Sequence, residues 1–376
     1  MAVRPMKVVH LYKDYYPPVF GGIEMTLSQM ARGAAVSGIE VTVLCSAHGL
    51  RRTTDEVLDG VRIIRCAEWM RISSTPLCPS MPFHLAGLDA DLYHLHFPYP
   101  PGELSWLLMR RDRPLVVTYH SDIIRQAAVL PLVAPLIHAV LSRARFIMPT
   151  SPQYIERSPI LRRHRERCRV LPLGIDQGRF EGIEQQDPVA GRLRERYGTP
   201  LVLFVGRFRY YKGLRVLLEA MRHVRGRLVL VGGGGEEAEL RALCSSLGLG
   251  ERVHFAGSVD DEAALAHYHA ADVFVLPSIH PAEAFGLSMI EAMASGTPVI
   301  CTELGTGTAF VNRHGETGLV VPPGDPVALA EAINRLVGDP AECRRLGEAG
   351  RLRARSVFST ERMVRDLLGI YAEAVR

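Results

Sequence analysis

The feature that most limits what this chain can fold into is a rhythm that occurs twice. Short β-rich apolar runs at 7–12, 40–45, 61–65, 92–95, 115–119, 146–150 and 169–172 alternate with helix-like segments. After a polar stretch from Gln177 to Pro200 the rhythm resumes at 201–205, 228–231, 252–255, 273–276, 298–301 and 318–321, with amphipathic segments near 213–224, 236–247, 261–269 and 286–294. Apolar runs of four to six residues without strict alternation suit strands buried on both faces, and their alternation with helices implies parallel βαβ crossovers. The expected fold is α/β: two Rossmann-like, doubly wound parallel sheets over 1–176 and 200–358, joined by a linker at 177–199. A chain of 376 residues suits two cores better than one. Ligands of such sheets sit beyond the carboxyl ends of the strands, so the chemistry is expected there, in the cleft two such domains share.

Composition removes several alternatives. With 47% hydrophobic and 22% charged residues the chain is neither disordered nor fibrous. The net charge of +4 is uneven: residues 1–185 carry 22 Lys and Arg against 17 Asp and Glu, the remainder 22 against 23. That surplus admits a peripheral contact with an anionic membrane surface, although a few solvated arginines explain it as well. No dense basic stripe marks a nucleic-acid partner. Seven scattered cysteines without a CxxC read as free thiols in a reducing compartment, and no charged n-region precedes an apolar run, so a cytoplasmic location is expected. The uncharged run Gln126 to Ser142 holds Pro131 and Pro135 and falls short of the ~20 residues a span needs; it reads as a buried, Pro-bent core helix, or else a surface helix touching lipid.

The strand ends carry the candidate chemistry. Gly21-Gly22 ahead of a helix lets backbone N–H groups approach an anion, with Glu24 following. Tyr119-His120-Ser121-Asp122 puts an imidazole at the mouth of the first sheet, where it is expected to titrate near neutrality. His94-Leu95-His96 is read as pointing its two rings to opposite faces, so no shared metal is expected. In the second half Gly206-Arg207 and Lys212-Gly213 bracket a turn with two cations, the charge a pyrophosphate leaving group needs. Lys212 stands out because only three of the 44 basic residues are lysine. The Gly232 to Gly235 run lacks a Gly-Lys-Ser ending, and no GxGxxG follows an N-terminal strand, so neither a P-loop nor a dehydrogenase is supported.

The most specific stretch is Leu276-Pro-Ser278-Ile-His-Pro-Ala-Glu283-Ala-Phe-Gly-Leu-Ser-Met-Ile-Glu291-Ala-Met-Ala-Ser-Gly-Thr-Pro-Val299. A helix starting near Gly286 leaves Glu283 in the loop before it and Glu291 one turn beyond Leu287 on the same face. The amides of Phe285 to Ser288 suit a phosphate, and Glu291 a ribose diol.

Together these motifs resemble the nucleotide-sugar-dependent retaining glycosyltransferases of GT-B architecture, glycosyltransferase family 4, over nearly the whole chain. The Glu-x7-Glu pair carries the likeness, supported by Gly21-Gly22-x-Glu24, Leu171-Pro-Leu-Gly-Ile-Asp176 and Thr317-Gly-Leu-Val-Val-Pro-Pro-Gly-Asp325. The resemblance implies a donor held by the second domain and a hydroxyl acceptor held by the first. It gives Arg207 and Lys212 the diphosphate, together with Gly22 and the amides near Gly286 and Leu287. It gives Glu291 the ribose, Val259 the base, Glu283 the transferred sugar, and His120 the sugar or acceptor. Glu24 and Asp122 fall on the acceptor side. It implies no cofactor and no metal, and a C-terminal helix 359–376 that returns to the first domain. Leu173, where the family often has Asn, and the lack of a Gly-Gly pair within Gly305-Thr-Gly-Thr308 depart from the pattern. A nucleotide-sugar epimerase or sugar-phosphate synthase on the same plan, and a non-catalytic nucleotide-sugar-binding protein, are the competing readings.

Overall fold

The structure, a computed structural model, describes residues 4–72, 74–109, 113–123, 130–180 and 188–376. The chain forms two compact units. One runs to Gly174 and includes Thr360–Arg376, and the other is Ile175–Ser359.

The first unit contains β1 (Lys7–Leu11), β2 (Glu40–Ser46), β3 (Thr54–Leu58), β4 (Val61–Cys66), β5 (Met70–Ile72), β6 (Thr75–Leu77), β7 (Leu92–Phe97), β8 (Leu115–Tyr119) and β9 (Phe146–Pro149). Its main sheet has the order β3-β4-β2-β1-β7-β8-β9, parallel except where β3 runs antiparallel to β4. The strand order reverses between β1 and β7, and register sets His10 opposite His94 and His96 opposite Thr118. The central strands are buried throughout, as their unbroken apolar runs require.

The second unit contains β10 (Leu201–Val205), β11 (Arg227–Val231), β12 (Val253–Gly257), β13 (Val273–Leu276), β14 (Val299–Thr302) and β15 (Gly318–Val321). They form an all-parallel sheet in the order β12-β11-β10-β13-β14-β15, with its reversal between β10 and β13. Both sheets therefore carry the doubly wound plan, and each switch point is a crevice for ligand.

The structure departs from these expectations, or adds to them, at four places. Residues 169–172 are not a strand: Arg169 and Leu171 donate to Ile147 and Pro149 of β9, but only an isolated bridge at Cys168 forms, and Pro172 has no N–H to continue a ladder. The β3–β4 hairpin adds an antiparallel strand to the expected set, turning at Asp59-Gly60 with φ of 51° and 78°, a standard turn signal. The 177–199 stretch is not a free linker. Its helix Pro188–Tyr197 packs on the helix Asp261–Ala270, and Arg194 reaches Asp272 Oδ1 at 2.7 Å and the Ala270 carbonyl at 2.8 Å. Residues 181–187 of it lie outside the described residues, as do 126–129 of the uncharged run. That run forms a helix, Leu130–Leu141, which buries only one face: Ile137, Val140 and Leu141 are covered while Leu132 is 81% exposed.

The C-terminal helix Thr360–Ala374 lies on the helix Gly22–Val36, with Val364 packed so close to Gly33 that no Cβ would fit there. All seven cysteines are unpaired thiols. Among the described residues no helix is long and apolar enough to cross a membrane.

Candidate active site

In the second unit the turn after β10 and the loop after β13 meet at the switch point. Gly213 makes that meeting possible. Its φ is 69°, and a Cβ there would lie 2.0 Å from the Pro277 carbonyl oxygen. Gly213→Ala is therefore expected to push the two loops apart and lower the thermal midpoint; a variant with an unchanged midpoint would remove this account of the turn.

The approach pairs Lys212 Nζ with Glu283 Oε2 at 2.6 Å, with both side chains largely buried. Ser278 Oγ donates to the same oxygen at 3.0 Å, and Thr306 Oγ1 donates to the Glu283 carbonyl at 2.7 Å. Burial opposes the charge on Lys212, but Glu283 more than offsets it, so the ammonium is held above its ordinary pKa and stays cationic. A fixed cation beside a fixed carboxylate can bind an anion and a hydroxyl side by side.

Next to this pair is a cavity of about 260 Å³ lined by Arg207, Gly206, Gly232, Val259, Tyr268 and Glu291, with Arg179 and Asp261 also on its wall. Gly232 permits its narrow floor, where a Cβ would sit 2.1 Å from the Gly206 carbonyl. That explains the glycine run better than direct phosphate binding does. Glu291 accepts a hydrogen bond from the Tyr268 hydroxyl at 2.7 Å, while burial raises the Glu291 pKa. Arg179 and Asp261 pair at 3.2 Å, with Asp261 exposed.

The helix Leu287–Ala294 begins at Gly286, whose φ is 87°. Met289 is the first residue whose amide bonds back, to the Gly286 carbonyl at 2.9 Å. The amides ahead of it are the orphan donors of a helix start, at the positive end of its dipole. The Phe285 side chain is buried, its ring 5.9 Å from that of Phe358, so only its backbone is available to a ligand.

In the first unit His120 closes β8 and is 3% exposed. Burial, with a smaller push from Lys13, depresses its pKa to about 3. The expectation of titration near neutrality is thus corrected: the ring is neutral. The reading of His94 and His96 is also corrected. Residues i and i+2 share a strand face, and the two rings stack at 4.3 Å. With His10 they bring three ring nitrogens within 4.8 Å of one another.

Gly21 and Gly22 stand at the start of the helix Gly22–Val36, with the buried Glu24 carboxylate folded over Gly21. Asp122 is held by its own unit, its Oδ1 accepting from Tyr119 at 2.6 Å and Ser158 at 2.7 Å.

Thus Arg207, Val259 and Glu291 share one cavity wall and Lys212 grips Glu283, all within the second unit. Tyr268, Arg179 and Asp261 belong to no motif, and only tertiary contact brings each to the site; Ser278 stands in the most specific stretch of the sequence, which by itself assigns it no role.

Residues 21–174 match the glycosyl transferase 4-like domain and residues 188–353 the glycosyl transferases group 1 family. The chain is 38% identical over 360 residues to the D-rhamnosyltransferase WbpZ of Pseudomonas aeruginosa, covering 94% of this chain and 92% of that one. It is a group 1 glycosyltransferase. The O-antigen chain mannosyltransferase C of Escherichia coli is 35% identical over 368 residues, covering 97% of this chain and 98% of its relative. A sucrose-phosphate synthase from Thermosynechococcus elongatus superposes with a TM-score of 0.80 at 28% identity, covering 98% of each chain. The glycosyltransferase thus has the GT-B architecture; the matched domains take in all of the second sheet and, β1 apart, all of the first.

Proposed function

We propose that this glycosyltransferase moves a mannose-type sugar from a guanosine-diphosphate donor to a hydroxyl of a growing polysaccharide, with retention and without a metal or cofactor. D-rhamnose is 6-deoxy-D-mannose, so the two relatives named for their sugars share one ring configuration, and the second is named for an O-antigen chain. That shared configuration carries the proposal. The base is argued from the cavity: guanine presents N–H donors that a carboxylate such as Asp261 accepts, and a carbonyl that a guanidinium such as Arg179 meets, whereas uracil lacks this edge.

In this reading Arg207, Lys212 and the amides at Gly286 and Leu287 neutralise the diphosphate, doing the work of a divalent ion. Glu291, steadied by Tyr268, takes the ribose diol, and Glu283 holds hydroxyls of the sugar. The anomeric C–O bond to phosphate breaks while the acceptor oxygen bonds to the same face, and the acceptor's proton passes to the departing phosphate oxygen. The free thiols fit a cytoplasmic location. Exposed Phe83, Leu104, Leu108 and Leu132, together with the arginine surplus of the first half, support a peripheral contact with the inner membrane surface.

A thermal-shift comparison of GDP, UDP and ADP tests the donor. A nucleotide at 100 times its dissociation constant stabilises by about 2.7 kcal/mol. GDP should shift the midpoint most, and Asp261→Asn should erase its advantage over UDP; a larger shift with UDP sinks the guanine assignment.

A further inference from the structure

The first sheet buries a line of histidines that ends at His120. In-register partners on neighbouring strands share a face, as do residues two apart on one strand. His10, His94, His96, Thr118 and His120 therefore all stand on one face across β1, β7 and β8. The C-terminal helix covers them with Tyr371, and none of the six is more than 3% exposed.

Their polar atoms form one unbranched chain. Thr118 Oγ1 lies 2.7 Å from His94 Nε2, and His94 Nδ1 lies 2.6 Å from the Tyr371 hydroxyl. That hydroxyl is 3.2 Å from His10 Nε2, His10 Nδ1 is 3.0 Å from His96 Nε2, and His96 Nδ1 is 3.0 Å from His120 Nε2. The three nitrogens that could share a metal are thus already engaged in hydrogen bonds.

Burial keeps all four rings neutral, pulling His10 and His120 to about 3 and His94 and His96 well below their ordinary value. A neutral imidazole has one donor and one acceptor. The chain therefore has only two self-consistent directions, and the phenol, with a single proton, chooses between them. A phenol donating to nitrogen makes a shorter bond than one accepting from an imidazole N–H. The 2.6 Å contact marks Tyr371 as donor to His94, and the 3.2 Å contact marks it as acceptor from His10. From there the direction runs without choice: His10 carries its proton on Nε2, His96 on Nε2, and His120 on Nε2.

We propose that Tyr371, His10 and His96 are positioning residues that lock His120 as its Nε2–H tautomer, leaving Nδ1 as a bare acceptor for a hydroxyl of the sugar or acceptor. The consequence for transfer rests on placing His120 at the sugar, but the tautomer itself does not. A locked acceptor selects hydroxyl donors over phosphate oxygens, which fits a residue meant for the sugar rather than for the diphosphate.

Long-range proton–nitrogen NMR of the full chain, labelled with ¹⁵N-histidine and assigned by the His120→Gln variant, reads both ring nitrogens. The expected spectrum has His120 Nε2 in the protonated range and Nδ1 in the unprotonated range. Tyr371→Phe should move both resonances toward the averaged values of mixed tautomers and lower kcat about tenfold, the scale seen when a partner orienting a functional histidine is lost. A wild-type His120 protonated on Nδ1, or already averaged, overturns the proposal. So does a folded Tyr371→Phe protein with an unchanged spectrum, or a spectrum that collapses on zinc addition with one ion bound. If Tyr371→Phe does not fold, the wild-type spectrum still decides the direction. If the locked tautomer is found but Tyr371→Phe transfers sugar at the full rate, the chain stands and the placing of His120 at the sugar fails.

Discussion

Replacing Lys212 with methionine should lower turnover by roughly 10²–10³, the usual cost of removing a preorganised stabiliser of a developing oxyanion. The ammonium is buried, cationic and fixed against Glu283 at 2.6 Å, so in the proposed reaction it needs no rearrangement when charge appears on the leaving phosphate. The same change leaves the Glu283 carboxylate buried with Ser278 as its remaining side-chain partner. Breaking a buried pair from one side costs about 3–5 kcal/mol, so the thermal midpoint should fall as well. The two effects are separable. Adding Glu283→Gln to Lys212→Met should restore much of the stability by removing the uncompensated charge, while turnover stays low. Steady-state rates and melting curves of the two single variants and the double variant check this. Near-full turnover in folded Lys212→Met sinks the role given to the ammonium.

Acid should destabilise the protein early and steeply. His10 and His120 have folded pKa values of about 3 through burial, and His94 and His96 lie well below the ordinary 6.5. For a histidine whose folded pKa is depressed, the unfolded chain takes up the proton first as pH falls. Stability is then complete above 6.5 and is lost as pH drops toward 3, at a limiting slope of about 1.4 kcal/mol per pH unit for each group. His164, held at about 4, and His138 act in the same direction. Glu103 opposes them: burial raises it to about 7, and an acid with a raised folded pKa loses stability as pH rises between 4.5 and 7, so it offsets about one histidine in that window. Urea midpoints at pH 7.5 and 5 should differ by far more than in a variant carrying His10→Phe and His96→Leu. Equal pH dependence in the two proteins refutes a neutral, buried histidine line.

Much of the architecture was legible because it rests on local pattern. The unbroken apolar runs that became β1, β7 and β8, and those of the second unit, can be buried on both faces only in parallel sheets with helices over them. The Glu283 to Pro298 stretch announced its helix start through Gly286, and the cations at Arg207 and Lys212 announced themselves through their place after a strand. The β3–β4 hairpin could have been read from Asp59-Gly60. The shared face of His94 and His96 follows from their spacing alone, because residues two apart on a strand lie on one side of the sheet.

Other features had no local signal. Tyr268 reaches Glu291 across 23 residues of sequence and Tyr371 reaches His10 across 361, and neither stands in a motif. Nor does the sequence near 177–199 say that Pro188–Tyr197 belongs to the second core, because its mate is the helix Asp261–Ala270. The doubly wound plan, the order of the motifs and the residue types at each strand end are all legible in the sequence. These follow from hydrophobic period and turn chemistry, which act over a few residues. That Lys212 grips Glu283, that four histidines are buried and neutral, and that a tyrosine from the last helix joins their hydrogen-bonded line follows from contacts made only in the folded chain. Charge state and hydrogen-bond direction depend on burial and on partners that the chain brings together only when it folds.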